Sequence, residues 1–314
     1  MASNHSRGPL QIVAATLSLG LLLGACGDEE SASDKPQVAA TTSVAADIVR
    51  ELAGEDAEVT QIVPDGSSPH SYAPSAKEQQ QLAESDLLVY FHPGLEAALP
   101  LEEAKSSFEL AEHAGELRTY AEDEVAEGEH VPEGEEEHGD EGTDPHFWLD
   151  PLAIRATLPE LADALAALDP DNASGYRQRA EAYAAELTRL DAELQRLVAA
   201  IPAADRKLVT SHDLLGYFAD RYGFEVIGAV FGVSPEAEAS AADVAGLIGV
   251  VEQAGVPAVF AQQGDDAQVL RLIAEETEVE VVDDLLLETL GPEADSYAEM
   301  MRFSTGRIVD ALAG

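Results

Sequence analysis

Two runs of alternating strand and helix signals, one on each side of a long helical stretch, constrain this chain most. In the first run, "PQVAATTSVAADIVRELAG" reads as a strand, a Thr-rich corner and a helix from about Ser43 to Leu52, with Ser43 as candidate N-cap. "AEVTQIVP" is the next strand. A helix ending near Ser85 and a third strand, "DLLVYFHPG", follow. This order predicts an open sheet of parallel strands. In the second run, "RKLVTSHDLLGYFADRYG" reads as strand, corner and helix, and "FEVIGAVFG" as a strand. Then come a helix closed by Gly255, the strand "VPAVFAQQG", a helix, the strand "VEVVDDLL" and the last helix, "SYAEMMRFSTGRIVDALAG".

Between the runs, "AIRATLPELADALAAL" and "NASGYRQRAEAYAAELTRLDAELQRLVAAI" carry apolar residues at three- and four-residue spacing. "DPDN" separates them, and Asn172 or Ser174 can cap the second. Its heptads are too short-lived and Ala-rich for a coiled-coil seam. A helix bridging two lobes fits better. The expected fold is therefore α/β: two lobes with mostly parallel sheets, joined by one long linking helix. Ligands of such sheets sit at the C-terminal strand ends, here in the cleft between lobes.

The expected boundaries are a signal peptide over 1–25, a tether over 26–37, a first lobe over 38–150, a helical region over 151–204 and a second lobe over 205–314. The leader has Arg7 near its front and an apolar run from Leu10 to Leu23. That run is short of the roughly 20 residues a spanning helix needs. It ends in "LGAC", which resembles the lipobox of bacterial lipoproteins and makes Cys26 the lipidated residue. Extracytoplasmic attachment to the cell membrane through that lipid is the expectation. Cys26 is the only cysteine, so any metal is bound by His and carboxylates.

The formal net charge is −44. Phosphate contacts need Lys and Arg, so nucleic acid is excluded as a partner. Residues 121–143 are nearly all acid, Gly and His, with no apolar period, and read as an exposed insertion in the first lobe. Within it, His130 and His138 are candidates for an accessory metal-gathering loop. The other reading is a solvated insertion in a very acidic protein.

Four residues fall at corners where such a fold places ligands. His70 follows the strand "VTQIV" and stands between Pro69 and Pro74. His146 precedes "FWLDP", His212 follows "KLVT", and Glu288 follows "VVDDLLL". Each half supplies two. Three imidazoles and one carboxylate suit a first-row divalent metal, and a tetrahedral N3O set suits Zn²⁺. Asp144, Asp150 and Asp213 could orient the imidazoles from behind. Taken singly, each signal also has a structural reading: a histidine beside aromatics can be a core residue, and Ser211 or Asp213 can cap the following helix.

"SPHSYAPSAKE", "DPHFWLDP", "TSHDLLGYFADRYGFEVIG" and "SYAEMMRFSTGRIVDAL" resemble the signature segments of the zinc- and manganese-binding ABC-transporter solute-binding lipoproteins, from about Val38 to Leu312. The resemblance implies two similar lobes of about four strands each and capture of a divalent metal for delivery to a permease. It carries the metal ligands onto His70, His146 and His212. Zinc members usually keep histidine at the third position, where many manganese members have glutamate. The fourth ligand is usually an aspartate in a segment like "LYTDSLG". Here the segment reads "LLLETLG", which puts Glu288 at that position, with Asp283 or Asp284 as alternatives.

Zn²⁺ is thus the expected cargo, Mn²⁺ the alternative, an ABC permease the partner and a monomer the expected state. An exported metallohydrolase is disfavoured: the chain has no "HExxH" and no "GxSxG", and four protein ligands leave no open metal position. A surface adhesin on the same fold is the other alternative. Metal lost on replacing His70 favours the carrier, and normal cell attachment by metal-free variants favours the adhesin.

Overall fold

A computed structural model describes residues 35–120, 142–231, 241–264 and 267–313. The expected leader, Cys26 and His130 and His138 of the acidic segment lie outside the described residues.

The first sheet holds β1 (Gln37–Ala40), β2 (Glu58–Gln61), β3 (Leu87–Tyr90) and β4 (Ser107–Glu109), in the order β2-β1-β3-β4. The second holds β5 (Lys207–His212), β6 (Glu225–Phe231), β7 (Ala258–Gln262) and β8 (Glu280–Leu285), in the order β6-β5-β7-β8. Every pairing is parallel, and the two sheets share one winding. All residues of β3 and β7 are buried, as strands covered on both faces must be. In each sheet the winding reverses beside the first strand. That switch point is where a parallel sheet opens a crevice at its C-terminal edge. In the first lobe the crevice is closed: Thr41, just after β1, donates its hydroxyl to Glu96, just after β3, and both are fully buried. In the second lobe His212 ends β5 and Gln262 ends β7, and the crevice carries polar side chains of a different kind.

The helices are α1 (Ser43–Ala53), α2 (Ala76–Glu84), α3 (Pro151–Leu168), α4 (Ala173–Val198), α5 (Gly216–Tyr222), α6 (Ala241–Ala254), α7 (Gln268–Thr277) and α8 (Tyr297–Leu312). The long linking helix is α4, 26 residues. Its buried stripe runs Tyr176, Ala180, Tyr183, Leu187, Leu190, Leu194, Val198, a 3.6-residue period. It packs on α3 and touches α1 of the first lobe and α5 and α8 of the second. One apolar cluster accordingly contains residues of both lobes, from Val38 to Leu312.

Several caps differ from expectation. Thr42, not Ser43, caps α1 by accepting from the Ala45 amide, because the Ser43 hydroxyl is taken by the Leu290 amide at 2.8 Å. Asn172 stands at the N-cap of α4 without a side-chain bond to it; its amide donates to Asp169 instead. Neither Ser211 nor Asp213 caps α5, whose N-cap is Leu215. At its far end α5 stops at Gly223, whose φ of 74° is the left-handed conformation that glycine adopts without strain.

Candidate metal centre

His70 stands in the loop from β2 to α2. A turn closes on Pro64, whose carbonyl accepts from the Ser67 amide, and the His70 amide donates to Ser68 Oγ. At the far end Ser75 and Glu78 form a reciprocal capping box on α2. The loop is also tied to the second lobe, for the Gly66 amide donates to Thr289 Oγ1 at 3.1 Å. His70 keeps 9% of its side chain exposed. His146, His212 and Glu288 keep 0%, 0% and 1%.

His146 opens the short helical turn Phe147–Leu149. Asp144 Oδ1 accepts from both its amide, at 3.0 Å, and its Nδ1, at 2.9 Å. A proton is therefore held on Nδ1, and Nε2 is turned toward the site with its lone pair available. Tyr120 Oη lies 3.3 Å from the same Nδ1 and donates to the Asp213 carbonyl at 3.3 Å. Arg118 Nε is 3.6 Å from the other Asp144 oxygen. Behind the ring, Trp148 meets His146 edge to face, and its indole N–H donates to the Leu287 carbonyl at 2.7 Å. That bond fixes the backbone beside Glu288.

The four expected ligands converge. The Nε2 atoms of His70 and His146 are 3.3 Å apart. Glu288 Oε1 lies 3.2 Å from His70 Nε2, 3.6 Å from His146 Nε2 and 3.7 Å from His212 Nε2. All four donor atoms fall within 4.8 Å of one another. A tetrahedral ion with bonds of 2.0–2.1 Å to nitrogen and oxygen has edges of about 3.4 Å, so these spacings are those of a nearly closed coordination shell. The second oxygen of Glu288 accepts from Gln262 Nε2 at 2.8 Å.

The electrostatics follow from this packing. Burial works to lower the His146 imidazole, but hydrogen bonds and charge from Asp144 and Glu288 outweigh it and hold it above its ordinary value. Burial works to raise Glu288, yet the hydrogen bonds from His146, His212 and His70 hold it well below the usual carboxylate range. The centre is a buried anion facing three imidazoles, suited to receiving a cation.

Of the three acids expected behind the imidazoles, Asp144 stands against His146, while Asp150 lies elsewhere. Asp150 precedes a proline at the first position of α3 and is used as that helix's N-cap, accepting from the Leu152 amide at 2.8 Å. Its carboxylate also lies 3.7 Å from Arg221. Asp213 reaches the site through its carbonyl, by way of Tyr120. Asp283 and Asp284 pair with Arg271 and Arg307 on the outer edge, which leaves Glu288 as the converging acid. Sequence reasoning missed Tyr120 and Gln262. A polar residue ending the buried run "AVFAQ" was the one available signal for Gln262.

Residues 38–311 match the family model described as zinc-uptake complex component A, periplasmic. The chain belongs to this family. Its members are metal-binding, ABC-type solute-binding transport proteins, not enzymes. The zinc-binding protein TroA of Treponema pallidum is 31% identical, over 96% of this chain and 98% of that protein. The manganese ABC transporter substrate-binding lipoprotein PsaA of Streptococcus mitis is 30% identical, over 93% and 95%. The solved structure of periplasmic TroA matches with a TM-score of 0.77 at 27% identity, over 89% of this chain and all of that one. Family membership agrees with the expected fold and with a carrier rather than a catalyst, and the named relatives divide between zinc and manganese.

Proposed function

We propose that this family member captures Zn²⁺ outside the cytoplasm through His70, His146, His212 and Glu288 and hands it to a cognate ABC permease. The observation that carries this reading is the convergence of an N3O donor set, with the Glu288 oxygen 3.2–3.7 Å from all three imidazole Nε2 atoms. Zn²⁺ stands well above Mn²⁺ in affinity at a nitrogen-rich site, which ranks manganese second. Asp144 sets the His146 tautomer, so the imidazole presents an unprotonated Nε2 to the metal. Metal enters past His70, the one ligand with an exposed edge. Closure consists of small shifts of the His70 loop, which change the surface that the permease reads. The core shared through α4 opposes a wide hinge motion.

The same reading assigns residues 1–25 to a leader and Cys26 to a lipid anchor on the cell membrane, with a monomeric body beyond the tether. Among the described residues no helix is long and apolar enough to cross a membrane. The deciding experiment is metal content and competition binding, Zn²⁺ against Mn²⁺, on mature protein with and without His212. Zinc preference that is lost in His212→Ala is the expected result. Manganese preference in the intact protein overturns the zinc assignment, and no uptake of either ion overturns capture itself.

A further inference from the structure

The four donors do not by themselves decide how many bonds a metal receives, because a carboxylate can supply one oxygen or two. A bidentate Glu288 would make a five-coordinate centre and favour ions that take larger shells. Gln262 bears directly on this choice. It is the last residue of β7, beside His212 across the switch point of the second sheet, and is 7% exposed. Its Nε2 donates to Glu288 Oε2 at 2.8 Å, while all three imidazole contacts of the carboxylate are made with Oε1.

We infer that Gln262 determines metal selectivity by holding Glu288 to a single ligating oxygen. The amide bond fixes the rotation of the carboxylate, so Oε1 completes a four-donor shell and Oε2 is kept on the amide. Zn²⁺, with no geometric preference from its d electrons, accepts four ligands readily. Mn²⁺ suits a larger, oxygen-rich octahedral shell and loses the second oxygen it would use. Discrimination arises by withholding a donor from the wrong ion rather than by adding one for the right ion. A neutral amide suits this task. A carboxylate at residue 262 would set a second anion against Glu288, and an apolar residue would leave Oε2 buried with no donor. Gln262 touches no metal in this scheme, so it is a positioning residue. The inference rests on the metal centre proposed above.

The test uses Co²⁺ as a spectroscopic probe, with Zn²⁺/Mn²⁺ competition alongside. Wild-type protein loaded with Co²⁺ should show the intense visible bands of a four-coordinate ion. Gln262→Met keeps the shape and removes the donor. It should give the weaker bands of a five-coordinate ion and shift the Zn²⁺/Mn²⁺ affinity ratio toward manganese by about tenfold, the scale of losing a residue that supports a ligand. X-ray absorption on the unaltered zinc-loaded protein gives a second reading that needs no variant: four light-atom neighbours are expected. A five-coordinate wild-type site, or a Met variant with unchanged spectrum and ratio, overturns the role of Gln262 while leaving the metal centre standing. Failure of the wild type to bind Co²⁺ or Zn²⁺ overturns both.

Discussion

His70 Nε2 and His146 Nε2 face each other at 3.3 Å across the mouth of the centre. The His146 Nδ1 proton is already committed to Asp144, so a hydrogen bond between the two Nε2 atoms requires one further proton. A metal ion replaces that proton.

A neutral His70 can carry that proton on Nε2 and move it to Nδ1, so net proton release on zinc uptake depends on His146. With His146 held above its ordinary value and Glu288 below its own, the metal-free centre retains imidazolium character where a free histidine would be neutral. Affinity should be full above the raised His146 value and fall as pH drops through it, by about tenfold per unit for each proton displaced. Titration calorimetry in buffers of different ionisation heat measures the protons directly. A heat independent of buffer near pH 6.5, the ordinary histidine value, would count against the retained proton.

Shortening the acid at residue 288 should weaken binding although the chemistry is conserved. Glu288→Asp draws the oxygen back by about one 1.5 Å bond, away from three nitrogens that now lie 3.2–3.7 Å from it. An affinity loss of about 10–100-fold is expected, read by competition with a chelating dye. Full affinity in this variant would mean that the backbone here, not the longer side chain, sets the reach.

Glu96 should give the fold a pH slope of its own. Its carboxylate accepts from Thr41 and from the Phe91 and His92 amides, yet burial outweighs those bonds and pushes it up to about 7. The folded state then holds a proton that the unfolded chain gives up near its ordinary value of 4.5. Stability contributed here is greatest below that value, declines as pH rises toward 7 and is flat above. The span is about 3 kcal/mol, for roughly 2.5 pH units between 4.5 and 7 at 1.36 kcal/mol per unit. Glu96→Gln should lose the slope whatever its absolute stability, judged by urea midpoints of metal-free protein at pH 5 and pH 8.

Arg221 bridges α5 to Asp191 on α4 through two bonds, one of 2.7 Å from Nε. Asp191 is nearly buried, and Arg221 keeps about a quarter of its side chain exposed. Arg221→Met should lower unfolding free energy by about 2 kcal/mol, less than the roughly 3–5 kcal/mol of a wholly buried pair. Zinc affinity should hold, since neither residue touches the centre. A variant as stable as the wild type would show the pair to be ornamental.

The alternation of apolar runs with turn signals made seven of the eight strands readable, together with the long linking helix. β4 was not: Ser107–Glu109 is three residues long with one buried apolar side chain, Phe108, too short for any period to register. The four converging side chains were legible because each stands at a corner after a strand or beside a helical turn, where position alone suggests exposure to a cleft. Their supports were harder to read. Asp144 lies two residues from His146, whereas Tyr120 and Gln262 reach the site from 26 residues away from His146 and Glu288 respectively. Asp150 misled for the opposite reason. A carboxylate near a candidate ligand has two employments, and the proline after it had already assigned it to a helix end.

The segment Leu286–Leu290 follows the last strand of the second lobe but is bonded to the first, through Trp148 at Leu287, Gly66 at Thr289 and Ser43 at Leu290. The Tyr297 amide adds a bond to Asp47 on α1. A sensor made from this protein should be designed around that seam. Dyes on the far tips of the two lobes would report little when metal arrives, because the seam and the shared core transmit little displacement. A single environment-sensitive dye at the exposed Ser71, next to His70 and outside those bonds, would sit where the loop can answer.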